Sequence, residues 1–111
     1  MDVFTILADP HRRRILDMLA ERERSVNELV AAFSVSQPAI SRHLRVLRDA
    51  GIVEVRGEAQ QRIYRLQPEP LSVVDAWLAR YRDFWSARLD ALEHLAEQGS
   101  AASDPSQGDA P

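Results

Sequence analysis

The sequence predicts a mainly helical fold with one small β-hairpin, in the order α-α-α-α-β-β-α. Three observations carry this prediction: apolar residues recur at helical spacing on both sides of the turn SVS, an alternating β-branched hairpin follows directly, and a long segment rich in aromatic residues comes last. A length of 111 residues favours one domain with its own core. We expect residues 1–97 to form that domain and the small, acidic residues 98–111 to be a disordered tail.

Capping residues predict where the helices begin and end. Asp and Ser favour the first position of a helix because their side-chain oxygens accept hydrogen bonds from its free N–H groups, and glycine favours its end because it readily takes the left-handed conformation. A brief first helix is expected over Asp2–Leu7. The other signals, in chain order, are Asp9 before Pro10, the capping box Ser25-Val26-Asn27-Glu28, Ser36 at the start of the fourth helix and Gly51 at its end.

The fourth helix is predicted to have one apolar and one polar face. Ile40, Leu44 and Leu47 recur at helical spacing and should face the core. The segment from Ser25 to Gly51 is therefore interpreted as two helices separated by a three-residue turn, which is a helix-turn-helix.

A hairpin follows the helix-turn-helix without a linker. Ile52–Arg56 and Gln61–Leu66 alternate between apolar and polar residues, as strands do, and Gly57–Gln60 is the expected turn between them. We refer to this hairpin as the wing. The combination predicts a winged helix-turn-helix fold.

The charge of the chain is unevenly distributed. The formal net charge is −3, but residues 1–66 hold 11 arginines against 9 acidic residues, whereas residues 67–111 hold 3 against 8. Every basic residue apart from histidine is an arginine, and its planar guanidinium makes forked contacts to phosphate and guanine. Binding to DNA depends on the charge of the local face, so the negative total does not exclude it.

The helix-turn-helix and the wing are predicted to bind double-stranded DNA. Gln, Ser and Arg on the outer face of the second helix suit base edges and phosphates, and Arg on a wing suits a narrow minor groove. The alternative for the whole face is that it is polar and solvated without binding DNA. The alternative for His43 is that it is packed and hydrogen-bonded within the protein, and Arg48 is interpreted as either a phosphate contact or a solvated residue. The predicted contacts are Ser36, Gln37, Ser41, Arg42, His43 and Arg45 on the helix, and Arg56, Gln60, Gln61 and Arg62 on the wing.

The last helix, roughly residues 71–96, carries more large apolar side chains than a domain of this size covers. We expect it to form a homodimer together with the first helix, because DNA readers of this kind use two-fold symmetry. The alternative is a module that binds another protein through this helix. The predicted interface residues are Phe4, Leu7, Trp77, Leu78, Tyr81, Phe84, Trp85, Leu89 and Leu92.

Catalytic and metal-binding patterns are weak. The chain has no cysteine, and no nucleophile, carboxylate pair or phosphate-binding glycine loop is evident, so we expect neither an enzyme nor a cofactor. His11, His43 and His94 lie far apart in sequence. Only His94 has a ligand-like neighbour one turn away, Glu97, which makes these two weak metal candidates on the last helix. No signal peptide or membrane span is evident, which predicts a cytoplasmic protein.

The chain resembles the ArsR-type winged-helix repressors over roughly residues 3–96. The resemblance is carried by ILADPHRRRILDML, SVNELVAAFSVSQPAISRHLRVLRDAGIVEVR and QRIYRL. It implies a homodimeric bacterial transcriptional regulator, most often a repressor of its own operon, that binds an inverted repeat and releases DNA when an effector binds. The helix after Ser36 would read the major groove, the wing would flank it, and the terminal helices would form the dimer.

Four features of the chain depart from the family pattern. The first helix of the helix-turn-helix, NELVAAF, lacks the Cys-x-Cys of metal-sensing members. At the family's other metal site, on the last helix, this chain offers Tyr81, Asp83, His94 and Glu97, which leaves a metal-gated repressor as an alternative. The effector is unknown. Ser34 replaces a usual glycine, costing on the order of 1 kcal/mol if left-handed, and His11 replaces a usual Thr or Ser, which would leave Asp9 as the cap.

Overall fold

A computed structural model of the protein describes the backbone of residues 1–102 and the side chains of residues 1–98. The chain divides into two compact units, Met1–Asp75 and a second unit that starts at Ala76. The elements are the helices α1 (Val3–Leu7), α2 (Pro10–Glu21), α3 (Val26–Ala31), α4 (Gln37–Asp49) and α5 (Ser72–Ala102), and the strands β1 (Arg24–Ser25), β2 (Val53–Glu58) and β3 (Gln61–Leu66). The order of helices and hairpin is the one that the sequence predicts.

The helices of the first unit begin where the capping residues predict. The Asp9 carboxylate accepts hydrogen bonds from the backbone N–H of His11 at 2.8 Å and of Arg12 at 3.2 Å. At the start of α3, Ser25 and Glu28 form the reciprocal capping box, and the Ser36 hydroxyl accepts from the N–H of Ala39 at the start of α4. Asp9 is thus the cap of α2, as the histidine at position 11 implied.

The core of the first unit is formed by the apolar faces of the helices and the hairpin. Ile40, Leu44 and Leu47 of α4 are buried, as their spacing predicts, and α4 packs against α2 and β2. The other buried apolar residues are Ile6, Ile15, Leu16, Leu19, Leu29, Ile52, Val53 and Tyr64. Both sides of α4 are therefore supported, one by a helix and the other by the wing.

The sheet has a third strand that the sequence did not predict. The two residues of β1 pair antiparallel with β3, Arg24 opposite Tyr64 and Ser25 opposite Ile63, which gives the order β1-β3-β2. A strand of two residues has no alternation to detect, and its pairing depends on where β3 lies in the fold. The strand holds the start of α3 against the wing.

Two arginines of the first turn of α2 bind the end of α1. The Arg12 side chain donates to the carbonyl of Ile6 at 2.8 Å, and that of Arg13 donates to the carbonyl of Leu7 at 2.5 Å. These carbonyls lie in the last turn of α1, and that of Ile6 also accepts from the backbone N–H of Asp9 at 3.5 Å. The guanidinium groups add hydrogen bonds to them and complement the negative end of the helix dipole. This explains why cations are tolerated at the start of α2.

The last helix is longer than predicted. A short 3₁₀ turn, Glu69–Leu71, leads into α5, which continues to Ala102 and so passes the boundary at residue 97. The rest of the expected tail, residues 103–111, lies outside the described residues. The stripe on α5 is exposed at Trp77, Tyr81, Phe84, Trp85, Leu89, Leu92 and Leu95. No helix in the described part of the chain has the length and apolar character needed to cross a membrane.

Gly51 closes α4 in a left-handed conformation. Its φ is +75°, its N–H donates to the carbonyl of Arg48, and the N–H of Ile52 donates to that of Leu47, which together form a Schellman motif. Ser34 does not share this conformation, since the positive φ values in residues 1–102 are those of Gly51 and Ala59. The cost considered for Ser34 therefore does not arise.

We expect Gly51→Ala to lower the free energy of unfolding by about 1–2 kcal/mol, because an L side chain is strained at this φ. A methyl group there meets the side chain of Pro70 at an ordinary 3.9 Å, so the cost is conformational and not steric. Gly57→Ala is the matched control, since nothing lies within 4 Å and the φ is not positive. Urea unfolding measures both variants, and an equal loss in the two would contradict the strain argument.

Candidate nucleic-acid interface

The face of α4 opposite its buried residues is polar and exposed. Burial of Ile40, Leu44 and Leu47 turns the other side of the helix to solvent. The predicted contacts Ser36, Gln37, Ser41, Arg42 and Arg45 are all exposed there. Five of the predicted helix residues thus share one accessible surface.

A cleft separates α4 from the wing. Its volume is about 540 Å³, and its walls bring Arg62 of β3 together with helix residues more than ten positions away in sequence. The lining residues are Val26, Gln37, Ser41, Arg45, Arg48, Asp49, Arg62 and Tyr64. The cleft therefore collects three predicted helix contacts and one predicted wing contact into a single polar concavity.

Arg48 also lines this cleft, although the sequence left open whether it is a phosphate contact or a solvated residue. Gln37, Ser41, Arg45 and Arg48 follow one another at intervals of four, four and three residues, so they lie along one side of α4. The helical spacing could have revealed this row. What the spacing could not reveal is that the row faces the wing.

The wing carries its arginines in different electrostatic settings. Arg56 is bound to two acidic residues, with Nη1 at 2.6 Å from Glu23 and Nη2 at 3.0 Å from Glu58. These hydrogen bonds raise the pKa of Arg56 above its ordinary value. Arg65 pairs with Glu54. Among the described side chains, Arg62 makes no such ion pair, so its charge is available at the mouth of the cleft.

The tip of the wing is a tight turn. The strands pair as far as Glu58 opposite Gln61, so β2 extends two residues beyond the predicted Arg56 and leaves Ala59 and Gln60 as the turn. Ala59 takes a φ of +56°, and both Gln60 and Gln61 are exposed. The two predicted glutamines therefore lie exposed at the tip of the wing.

His43 lies on the other flank of α4, away from the cleft. Its ring stacks on that of His11 with centroids 5.5 Å apart, and the His11 ring contacts Phe33 at 5.8 Å. His11 Nδ1 is 3.6 Å from the Asp9 carboxylate. This arrangement favours the alternative of a packed histidine. Sequence reasoning missed the cluster because His11 and His43 are 32 residues apart.

Two members of this cluster have shifted pKa values. Burial alone would raise the pKa of Asp9, but hydrogen bonds from the backbone N–H groups of Arg12 and His11 hold it below its ordinary value. Burial lowers the pKa of His43, and the positive charge of Arg12 adds to this, against an opposing effect of Asp9. At neutral pH, Asp9 is therefore a carboxylate and His43 a neutral imidazole.

The metal candidates on α5 are spread along the helix. Asp83 and His94 are eleven residues apart, which is about 16 Å along a helix axis. The Nε2 atom of His94 is 3.1 Å from the side-chain nitrogen of Gln98. Asp83 is therefore too far from His94 to hold the same ion within one chain, whereas His94 and Glu97 lie one turn apart.

Comparison with known proteins points to one family. The family model described as "Bacterial regulatory protein, arsR family" matches residues 9–55, which span the helix-turn-helix and the start of the wing. The chain is 45% identical over 106 residues to the arsenic resistance transcriptional regulator ArsR1 of Pseudomonas putida, covering 93% of this chain and 82% of the relative. It is 30% identical over 80 residues to the transcriptional repressor SdpR of Bacillus subtilis, covering 72% and 89%.

The solved structures agree with this similarity. A crystal structure of an ArsR family transcriptional regulator matches with a TM-score of 0.66 and 32% identity, covering 75% of this chain and 86% of that chain. The matched architecture is the winged helix-turn-helix that the sequence predicts.

Proposed function

Because this chain belongs to the arsR family of bacterial regulatory proteins, we propose that it binds an inverted-repeat operator as a homodimer. Membership of this family also makes it a DNA-binding transcriptional repressor and not an enzyme. The centres of the two operator half-sites would lie about one turn of the DNA helix apart, roughly 34–36 Å. The observation that carries the proposal is the cleft that unites α4 and the wing.

We infer that different residues of this surface contact the bases and the phosphates. The exposed face of α4 starts at the N-terminal end of the helix, which is the part that usually reaches base edges in the major groove. Gln37 suits the edge of adenine, and Arg42 and Arg45 suit that of guanine. Arg48 and Arg62 lie on the walls of the cleft and suit the phosphates that flank the groove.

The proposed dimer rests on the exposed stripe of α5. Phe84, Leu89, Leu92 and Leu95 each expose about three-fifths of their surface. Contiguous apolar patches of this kind are rare on monomers and mark interfaces. A second copy supplies an identical stripe, and two-fold symmetry matches an inverted repeat. Phe4 is exposed on α1 and Leu7 half-buried, so Phe4 is the more accessible of the two predicted α1 contacts.

This chain has no thiol with which to bind an effector. Thiolates are the ligands that soft metals prefer, and this chain has no cysteine. The arsenic response in the name of the Pseudomonas relative is therefore not carried over to this protein. As a repressor of bacterial genes, it would act in the cytoplasm, where the chromosome is.

We expect Arg42→Ala to weaken binding to the operator by about 1–3 kcal/mol while leaving binding to random DNA nearly unchanged, because a base contact carries discrimination. Arg62→Ala should weaken both and reduce the slope of log K against log salt by about 1 per lost phosphate contact. Fluorescence anisotropy over a salt series, with operator and random duplexes, measures these effects. Equal loss of operator preference in the two variants would refute the division of roles.

We expect Glu58→Gln to tighten binding to both kinds of DNA, by on the order of 0.5 kcal/mol, as for exposed charges in general. The substitution removes a negative charge near the wing tip and releases one of the two acidic partners of Arg56. Glu93→Gln is the control, because it changes the net charge equally on the exposed surface of α5. If the two variants tighten binding alike in the anisotropy assay, only total charge matters and the wing has no special role.

We expect Phe84→Glu to convert the dimer into a monomer, because it places a charge in the centre of the exposed stripe. Ser86→Glu adds the same charge on the opposite side of α5 and should leave the dimer intact. Light scattering gives the mass of each variant. A wild-type monomer would overturn the homodimer and favour the alternative of a different protein partner on α5.

A further inference from the structure

Three metal-ligating side chains meet on the flank of α4 that faces away from the cleft. Asp9, His11 and His43 each offer one ligand atom, and these atoms all lie within 4.8 Å of one another. Asp9 and His11 come from the start of α2, and His43 comes from the middle of α4. All three are partly buried, so the cluster is held by the packing of two helices and is still open to solvent.

The chemistry of this set is that of a zinc-class site. Two imidazoles and a carboxylate are common ligands of Zn²⁺, and three protein ligands leave a fourth position for water. Tetrahedral bonds of about 2.0–2.1 Å place ligand atoms roughly 3.4 Å apart. His11 Nδ1 lies 3.6 Å from the capping oxygen Oδ1 of Asp9, so the imidazole and the carboxylate are already side by side. A ring nitrogen of His43 lies within 4.8 Å of the ligand atoms of both other residues, so small side-chain shifts would close the set around one ion.

The local structure leaves these ligands available. The hydrogen bonds that Asp9 accepts at the start of α2 both use Oδ1. The other carboxylate oxygen, Oδ2, is therefore left for an ion without loss of the helix cap. Histidine binds a metal ion through a ring nitrogen that carries no proton, and the two histidines of the cluster each offer one such atom. The nearby guanidinium groups of Arg12 and Arg42 oppose a cation, so the carboxylate of Asp9 is needed for binding.

We propose that Asp9, His11 and His43 bind one divalent transition-metal ion of the zinc class. This site uses neither thiolates nor any residue of α5, and it is complete within one chain. An ion there ties the start of α2 to α4 next to Arg42, and so limits the movement of α4 relative to the rest of the unit. The existence of the site does not depend on the proposed operator or dimer.

Titration of the metal-free, full-length protein with Co²⁺ tests the proposal. A Co²⁺ ion that is bound by only four ligands, as at the proposed site, absorbs visible light. Adding Zn²⁺ should displace the Co²⁺ and remove this absorption. We expect one Co²⁺ per chain. Loss of outer-shell partners already weakens metal binding about 10–100-fold, so loss of a ligand in His11→Gln or His43→Gln should weaken it at least as much.

Two further variants keep the test independent of folding. Asp9→Asn removes the carboxylate but retains a good helix cap, so it should fold and yet bind Co²⁺ weakly. His94→Gln removes the described histidine that lies outside the cluster, and it should bind as the wild type does. Zn²⁺ should raise the melting temperature of the wild type and of His94→Gln, but not that of His11→Gln.

Three results would overturn the proposal. The first is the absence of a Co²⁺ spectrum with excess metal, and the second is binding that survives in His11→Gln, His43→Gln and Asp9→Asn. The third is loss of binding in His94→Gln, which would assign the ion to α5. Each readout is made without DNA, so failure here leaves the proposed operator binding unaffected.

Discussion

Burial of one face of α4 is the interaction on which the rest of the structure depends. Ile40, Leu44 and Leu47 are at most 1% exposed, and each such side chain stabilises the fold by about 1.5–3 kcal/mol. A helix is rigid about its axis, so these three contacts determine the direction of every other side chain on it. The polar face that is proposed to read DNA is accessible because its opposite face is packed.

The two flanks of α4 have different chemistry because they have different neighbours. On one flank, the wing brings Arg62 to the row of Gln37, Ser41 and Arg45 and forms a polar cleft. On the other flank, the start of α2 brings His11 and Asp9 to His43. A change in the position of α2 would therefore act on the same helix that lines the cleft. The two proposals of DNA binding and metal binding meet in this one element.

The number of arginines in the wing does not show how many of them are free of acidic partners. The sequence shows an excess of arginine over acidic residues in residues 1–66, which indicated a DNA partner. The structure adds that Arg56 is already bound to Glu23 and Glu58, while Arg62 faces the cleft. Glu23 is 33 positions away from Arg56, so no local pattern could have indicated this pair. Two arginines of the wing, which the sequence alone does not distinguish, thus differ in the charge that is available to a partner.

The amino-acid sequence by itself determined the features that depend on near neighbours along the chain. The caps at Asp9, Ser25 and Ser36 and the left-handed Gly51 could be predicted because their partners lie within about five residues. The buried face of α4 could be predicted because its apolar residues recur at helical spacing. Only the tertiary structure decided which distant residues meet: β1 against β3, Arg48 and Arg62 across the cleft, and His11 against His43. Such contacts depend on how the elements pack, and packing is set by the whole core and not by any one segment.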